Sequence, residues 1–425
     1  MSRTKVAIVH YQAYPEVRMA KFARSLVDAG YDVTVLCRQA VDGRDSRTKH
    51  PYAARVQTAG ESLHVVAVEP EGYGRAGRAA ATPYPFNPLW RRAIRALLDD
   101  GCRLIIVHDF HLVLAATSQA RKRGVPVVFD VSENYPALLE IWRRLEGRRK
   151  AVVNSVARNI RLARTIERAG LRAADAVTAV VPEHVERLRA LMGRPDAPVT
   201  IVDNTPQLDE LLVATPEPSG RATETDKPLE VVYTGEIHVY RGIDTVIAAA
   251  ALLQRDGGPP VRFMLIGTGV LMPQLQQQAV AAGVQDVVDF RGWQADLTPF
   301  MAGADVGLIP PHASEHYDMT MPNKLYDFMA FAKPVVISDV RPMRRVVESA
   351  GCGEWFRPGD PADLARAIRR LSDPVRRAEL GERGRQAVLA EHHWGIDGQR
   401  LVDLVRRLLD ESRARSGGPP TMIRT

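Results

Sequence analysis

Short apolar runs alternate with amphipathic stretches along most of the chain. Lys5–His10 (KVAIVH) is apolar until its last residue, as expected of a buried parallel strand whose carboxyl end opens on a ligand site. Val17–Ala29 places Met19, Phe22, Ala23, Leu26 and Val27 at helical spacing, and Gly30 is a stop signal. Tyr31–Cys37 and Leu63–Val68 read as the next strands, and Leu89–Leu98 as a helix. Strands follow at Arg103–His108 and Val125–Asp130, then a basic helical region from Leu139 to Ala174. Ala176–Val181 and Val199–Val202 read as strands around a helix at Pro182–Leu191. The β-α alternation predicts a doubly wound parallel sheet.

Residues 211–228 lack periodicity and are rich in proline and threonine, which marks a linker. The alternation then restarts at Leu229–Thr234, with further strands at Val261–Ile266, Val287–Phe290, Asp305–Ile309, Val335–Ser338 and Trp355–Gly359. Helices are predicted at Ile243–Leu253, from GTG through Gln278, near Pro342–Ser349, at Pro361–Leu371, Pro374–Glu391 and Gly398–Ser412. The expected architecture is α/β: two Rossmann-like doubly wound domains, 1–210 and 229–397, facing across a cleft, with helix 398–412 packing back on the first. The segment Glu71–Pro88 reads as an exposed loop and the last ten residues as a tail.

At 425 residues and 45% hydrophobic content, the chain is long enough for two cores. No apolar run is long enough to span a membrane, and MSRTKVAIVHY enters a strand with no apolar leader. The three cysteines, Cys37, Cys102 and Cys352, have no metal-ligand spacing. A cytoplasmic protein is the expectation. The formal charge is +7, and residues 139–172 alone hold ten Arg or Lys against three acids. Such a face is either solvated or seated on an anionic membrane surface, giving peripheral association with the inner face of the membrane. Nucleic acid is not an expected partner, because no interleaved aromatics or binding module accompany the charge.

Candidate chemistry concentrates in the second half. Pro322–Pro334 (PNKLYDFMAFAKP) predicts a short helix entered through Pro322 and Asn323, with Asn323 as N-cap. A helix N-terminus attracts anions. Lys324 adds a full charge there, and Asp327 lies one turn on, able to accept hydrogen bonds from sugar hydroxyls. Phosphate beside a polyol is what a nucleotide sugar presents. An ordinary amphipathic helix with solvated charges is the plainer reading. Gly235 and Arg241 fall in the loop after the first strand of this half; Gly235 permits close backbone approach, and Arg241 carries a planar fork suited to a diphosphate. Gly267 and Gly269, in GTGVLM between strand and helix, allow backbone to approach a phosphate or base; a third glycine of a dinucleotide fingerprint is missing. In the first half, His108 and His111 flank a strand end in HDFH, where a neutral, hydrogen-bonding side chain meets a ligand site.

These motifs resemble those of family 4 retaining glycosyltransferases. PNKLYDFMAFAKPVV is similar to the donor-binding pattern PxKLxEYMAxGxPVV, matching at Pro322, Lys324, Leu325, Met329, Ala330, Pro334, Val335 and Val336. Asp327 stands where the family has a ribose-binding glutamate. The earlier glutamate of the family's pair falls at Met319, leaving its role vacant or shared with Glu315 or Asp318. GEIHVYRG resembles the family's GRLxxxKG loop: Arg241 matches the Lys, while Glu236 takes the place of the first basic residue. HDFH resembles HxHDxH, whose histidine before the acid contacts the donor sugar; that is His108, with His111 second. SENYP resembles HExYP with Ser132 for the histidine, which makes Glu133 an acceptor-side candidate, with Arg18 a weaker one. Trp293, in FRGW, falls where the family's backbone contacts a nucleobase. GDPADLARAI, HHWG and the last helix extend the resemblance to nearly the whole chain.

The resemblance implies the B-type fold and transfer of a sugar from a UDP- or GDP-sugar to an acceptor, with retention of configuration. Arg241, Lys324 and the helix start at Asn323 would stabilise the leaving diphosphate, and a histidine of HDFH would hold the sugar. No Asp-x-Asp motif is present, so no required metal or other cofactor is expected. The donor base, the sugar and the acceptor stay open. Two rivals use the same architecture: a nucleotide-sugar 2-epimerase, which needs no acceptor, and a non-catalytic sugar-nucleotide-binding subunit, motivated by Met319.

Overall fold

The computed structural model describes residues 3–40, 62–68, 86–108, 110–145, 159–208, 227–415 and 417. It divides into two compact units, residues 1–203 with 396–425, and residues 204–395. The Glu71–Pro85 part of the expected loop, most of the 211–228 linker, Asp109, Glu146, Arg148, Arg149, Lys150, Arg158 and the tail beyond 417 lie outside the described residues.

Unit 1 is built on a seven-stranded parallel sheet. Its strands are β1 (Lys5–Val9), β3 (Asp32–Cys37), β5 (Leu63–Ala67), β6 (Leu104–Val107), β7 (Val127–Val131), β8 (Ala176–Ala179) and β9 (Val199–Ile201). Their order is β5-β3-β1-β6-β7-β8-β9. β1 is paired on both sides, Ile8 with Val35 and with Ile106, and its Val6–Val9 stretch is fully covered. That two-sided burial is why the sequence there is a continuous apolar run. Two short strands missed by the sequence reading, β2 (Ala13–Tyr14) and β4 (Gln39–Ala40), pair beside the sheet. β5 is an edge strand, and its Val65 and Val66 are exposed.

The helices of unit 1 are α1 (Val17–Asp28), α2 (Pro88–Asp99), α3 (Phe110–Ala120), α4 (Tyr135–Leu145), α5 (Ile160–Ala173) and α6 (Val185–Met192). Asn87 caps α2 through the amide of Leu89, and Pro88 fills its first position, where a missing N–H costs nothing. The basic region thus contains two helices, α4 and α5, with undescribed residues between them. α3 and α5 meet closely at Gly170, where a Cβ would lie 2.3 Å from a Val113 methyl.

Unit 2 has a six-stranded parallel sheet: β10 (Leu229–Thr234), β11 (Val261–Ile266), β12 (Val288–Gly292), β13 (Val306–Ile309), β14 (Val335–Ser338) and β15 (Gly353–Phe356), in the order β12-β11-β10-β13-β14-β15. Its helices are α7 (Ile243–Asp256), α8 (Met272–Ala281), α9 (Thr298–Gly303), α10 (Asn323–Ala330), α11 (Arg341–Ala350), α12 (Pro361–Arg369) and α13 (Pro374–Ala390). α14 (Trp394–Arg415) starts in unit 2, and its residues from Ile396 belong to unit 1, where Ser412 donates to the Gly124 carbonyl at 3.3 Å. The two sheets are each doubly wound and wholly parallel. Each unit has its own apolar cluster, around Ile105, Val107 and Phe129 in one and Val231, Phe263 and Leu308 in the other.

The predicted organising helix is shorter than expected, and its entry differs. Pro322 holds the N-cap position, and Asn323 is the first helical residue, so Asn323 is not the cap. A proline in extended backbone fits there because the cap residue needs no intrahelical donor. The helix ends at Ala330, and Ala332 closes the turn with φ of 52°, a left-handed conformation that favours glycine. The buried face carries Leu325, Tyr326, Phe328, Met329 and also Asp327, which is 9% exposed and not a solvated charge.

Candidate functional site

The order of the unit 2 sheet reverses direction between β10 and β13, because β11 and β12 lie on one side and β14 and β15 on the other. In open α/β sheets, ligands bind at the carboxyl ends of strands beside such a reversal. The loops after β10, β11 and β13 carry most of the residues singled out in the sequence. They touch backbone to backbone. Gly235 donates to the Ile266 carbonyl at 2.8 Å, Ile237 to Thr268 at 2.9 Å, and Gly267 to Gly292 at 2.8 Å.

The glycines make this packing possible. A Cβ on Gly267 would stand 1.8 Å from the Gly235 carbonyl oxygen, and one on Gly269 would stand 1.8 Å from that of Ile237. Gly235 itself has φ of 131°, and a Cβ there would lie 2.5 Å from Lys324 Nζ. Close approach is therefore real at all three positions, and what approaches is the neighbouring loop or Lys324.

Lys324, in the first turn of α10, donates to the Thr234 carbonyl at the end of β10, and its Nζ lies 4.3 Å from the centre of the Tyr233 ring. Tyr233 Oη is held by the Glu236 carbonyl at 2.7 Å. The Arg241 guanidinium is flanked by Tyr240 and Tyr317, 5.3 and 5.8 Å from their ring centres, and its buried Nε has no hydrogen-bond partner. Among the described residues, neither Arg241 nor Lys324 has a carboxylate within ion-pair distance. Burial, and then the like charge of Arg241, hold the Lys324 amine well below its usual pKa, with Asp327 opposing both. Two basic side chains, neither with a carboxylate within ion-pair distance among the described residues, make a site suited to an anion.

Asp318 and Glu315 are the acids considered for the vacant Met319 role. Met319 is buried in a single helical turn, Tyr317–Met319. Asp318 accepts from the Arg341 amide at 3.2 Å and pairs with that arginine's side chain at 3.5 Å, and Glu315 is exposed. Trp293, just beyond β12, is 46% exposed.

Unit 1 reverses between β1 and β6, and a second constellation sits at those strand ends. Its centre is Asp130 near the end of β7, fully buried. Arg18 of α1 grips it with two bonds, Nε to Oδ2 at 2.9 Å and Nη2 to Oδ1 at 2.7 Å. The same guanidinium donates to the carbonyls of Val202 at 2.9 Å and Asp203 at 3.4 Å. Thr178 of β8 donates to Asp130 Oδ1 at 2.5 Å, and His108 Nδ1 lies 2.7 Å from Oδ2. Burial alone would raise the Asp130 carboxyl; the Arg18 charge, its hydrogen bonds and His108 overcome this and hold it far below the carboxylate range. An ionised Asp130 requires a proton on His108 Nδ1, which then donates to Oδ2.

His108 and His111 part company. His111 is in the first turn of α3, and its ring stacks among Phe110, Tyr135 and Tyr11 at 3.9, 5.0 and 5.3 Å between centres. A pocket opens beside His108, lined in part by Tyr11, Gln12, Phe110, Ser132, Glu133 and Tyr135. Asn134 accepts from the Ala137 amide at 3.2 Å and so ties down the start of α4. Sequence reasoning named Arg18, His108 and Glu133 but missed Asp130, which joins the first two.

Family models match both units in order. Residues 15–205 match the glycosyl transferase 4-like domain, and residues 228–373 match glycosyl transferases group 1. The alpha-D-kanosaminyltransferase of Streptomyces kanamyceticus is 26% identical over 185 residues, 43% of this chain and 46% of that enzyme. The glycogen synthase of Mycobacterium tuberculosis (strain ATCC 25618 / H37Rv) is 23% identical over 392 residues, 87% of this chain and 85% of that one. For the kanosaminyltransferase the match spans about half the relative's length. Among solved structures, Anabaena Alr3699/HepE in complex with UDP superposes with a TM-score of 0.70 at 15% identity, over 95% of this chain and 100% of that one. The two models in sequence order, on two doubly wound parallel sheets, establish that the chain belongs to the family 4 glycosyltransferases of the B-type fold.

Proposed function

We propose that the protein transfers a sugar from a nucleotide-diphosphate sugar to an acceptor, with retention of anomeric configuration. The observation that carries the reading is the pair of cations, Arg241 and Lys324, at the reversal point of the unit 2 sheet without a carboxylate partner. A diphosphate supplies the missing charge. As the bond to the sugar breaks, negative charge grows on the leaving diphosphate, and Arg241 together with a Lys324 that takes up its proton as the diphosphate binds stabilises it. Asp327 is the ribose anchor in this reading, Trp293 lies at the base, and Pro322 and Asn323 bring the first amides of α10 to the phosphates. His108 Nε2, fixed by Asp130, serves substrate hydroxyls in unit 1. The charge supplied by Arg241 and Lys324 makes a metal unnecessary for the diphosphate. That HepE was solved with UDP supports a nucleotide donor; retention rests on the family resemblance.

Nucleotides test this directly. A ligand that binds only the folded chain at a hundredfold excess over its Kd stabilises it by about 2.7 kcal/mol. UDP or GDP is expected to raise the melting temperature, and their nucleosides are not. Lys324→Ala and Arg241→Ala should each cut turnover by about a hundredfold at saturating donor, from the loss of about 3 kcal/mol of charge stabilisation. Indifference to every nucleoside diphosphate would refute the reading.

A second reading concerns location. The outer face of α5 exposes Arg161, Arg168 and, at 51%, Leu162, an apolar residue among cations. That combination favours docking of the cytoplasmic protein on an anionic membrane surface. Among the described residues no helix is long and apolar enough to cross a membrane.

A further inference from the structure

Arg241 and Tyr317 are neighbouring side chains, and each buries a polar atom with no hydrogen-bond partner among the described residues: Nε of the arginine and the hydroxyl of the tyrosine. The Tyr317 ring centre stands 5.8 Å from the guanidinium carbon, and the residue is 3% exposed. Burial raises the pKa of the hydroxyl and keeps it protonated, and the Arg241 charge is the largest influence opposing this. Tyr233, on the same side of the sheet reversal, makes the contrast. Its hydroxyl is also buried, but it donates to the Glu236 carbonyl at 2.7 Å.

A buried hydroxyl left unpaired costs free energy, and folded chains rarely keep one without a use for it. Arg241 Nε can only donate, and it does not bond the hydroxyl beside it. One acceptor placed against both would satisfy both. Next to a guanidinium with no carboxylate within ion-pair distance among the described residues, the fitting acceptor is an anion. Tyr317 opens the single turn Tyr317–Met319, between β13 and α10. That turn is tied through Asp318 to the Arg341 amide at 3.2 Å and through its own amides to Ser314, at 3.1 and 3.3 Å. None of these ties uses the tyrosine hydroxyl, so a small displacement of the ring breaks no bond of the turn. We propose that Tyr317 is a further residue of the diphosphate site, its hydroxyl donating to an oxygen of the diphosphate that Arg241 receives. The covered hydroxyl meets that oxygen as the ring shifts toward the entering anion. The inference rests on the transferase reading and adds a neutral hydrogen-bond donor to its basic pair.

Tyr317→Phe removes one oxygen and keeps the ring. The test compares wild type and variant, as full chains, in melting without nucleotide and in affinity for UDP and GDP by calorimetry. The variant should melt no lower than wild type, because the lost hydroxyl had no partner. It should bind UDP or GDP at least about tenfold more weakly, as expected from losing one hydrogen bond to a charged group. An unchanged affinity would overturn the proposal. So would a lowered melting temperature without nucleotide, which would show the hydroxyl already paired within the chain. A loss shared equally by uridine or guanosine, read by saturation-transfer NMR, would move the hydroxyl to the nucleoside and overturn it too. If wild type binds UDP or GDP in those cases, the transferase reading stands and only the role of Tyr317 falls. A wild-type chain that binds neither loses both.

Discussion

Arg18→Met is the sharpest test of how unit 1 is held. Methionine keeps much of the aliphatic stem and removes the charge. The change deletes two bonds to Asp130, at 2.7 and 2.9 Å, and bonds to the Val202 and Asp203 carbonyls. It also removes a cation 4.8 Å from the centre of the Phe22 ring. What remains is a fully buried carboxylate supported by Thr178 and His108. Breaking a buried pair by removing one partner costs about 3–5 kcal/mol, because the other charge stays buried. For a domain of this size each kcal/mol is worth about 2–4 °C, so the unit 1 transition should fall by about 6–20 °C.

The pH dependence has a definite sign. In the native protein the Asp130 pKa is depressed, so its contribution is present above the unfolded value near ~3.9 and is lost only as pH falls through the lower folded value. Without Arg18, burial dominates and the folded pKa rises above ~3.9. Stability of the variant is then retained in acid and lost as pH rises through the new pKa. Protonation of His108, the titratable neighbour left on Asp130, acts in the same direction. The gap between wild type and variant should therefore be widest at pH 7 and narrow toward pH 4.5 in thermal melts followed by circular dichroism. A loss under about 1 kcal/mol, or a gap that does not change with pH, would show that the pair is not what it looks to be.

Four further outcomes are expected. Because burial and Arg241 depress the Lys324 amine, a bound diphosphate should restore its proton; calorimetry in buffers of different ionisation enthalpy should show proton uptake on UDP or GDP binding, absent in Lys324→Ala. Asp327→Asn should raise the donor KM by the equivalent of about 1.5–3 kcal/mol while changing kcat little, and an unchanged KM would remove Asp327 from the ribose. Ala332→Gly relieves about 1–2 kcal/mol of left-handed backbone cost, less about 0.4–1 kcal/mol of unfolded-chain entropy, so melting should rise slightly; a fall would refute the strain. Arg161→Glu with Arg168→Glu should abolish low-salt sedimentation with anionic vesicles, if the wild type binds them.

The strands were legible because parallel strands buried on both faces must be written as apolar runs, and β1, β6 and β10 are so written. Helix starts were legible where a side chain makes the cap, as Asn87 does, and misread where backbone does, as at Pro322. Strand order was not legible, since no local property of LEVVYT says that β11 and β13 flank it. The roles of Gly235, Gly267 and Gly269 were half legible. Their need for close approach shows in residue type, but that the approaching group is a loop or Lys324 depends on three connections meeting in space.

Asp130 is the instructive omission, because a signal for it was present. It ends an apolar run, VPVVFD, in a strand predicted to be buried, and a buried carboxylate demands a cation. Arg18 lies four residues before Phe22, and so falls on the buried stripe of α1, where an arginine demands an acid. The two partners stand 112 residues apart, and each looked like an isolated exception within its own segment. Opposite charges at predicted core positions of two elements in one sheet layer satisfy both demands at once. The same reasoning explains why Arg241 and Lys324 differ in kind. They are two basic groups with no carboxylate within ion-pair distance among the described residues, and the Arg241 charge helps depress the Lys324 amine.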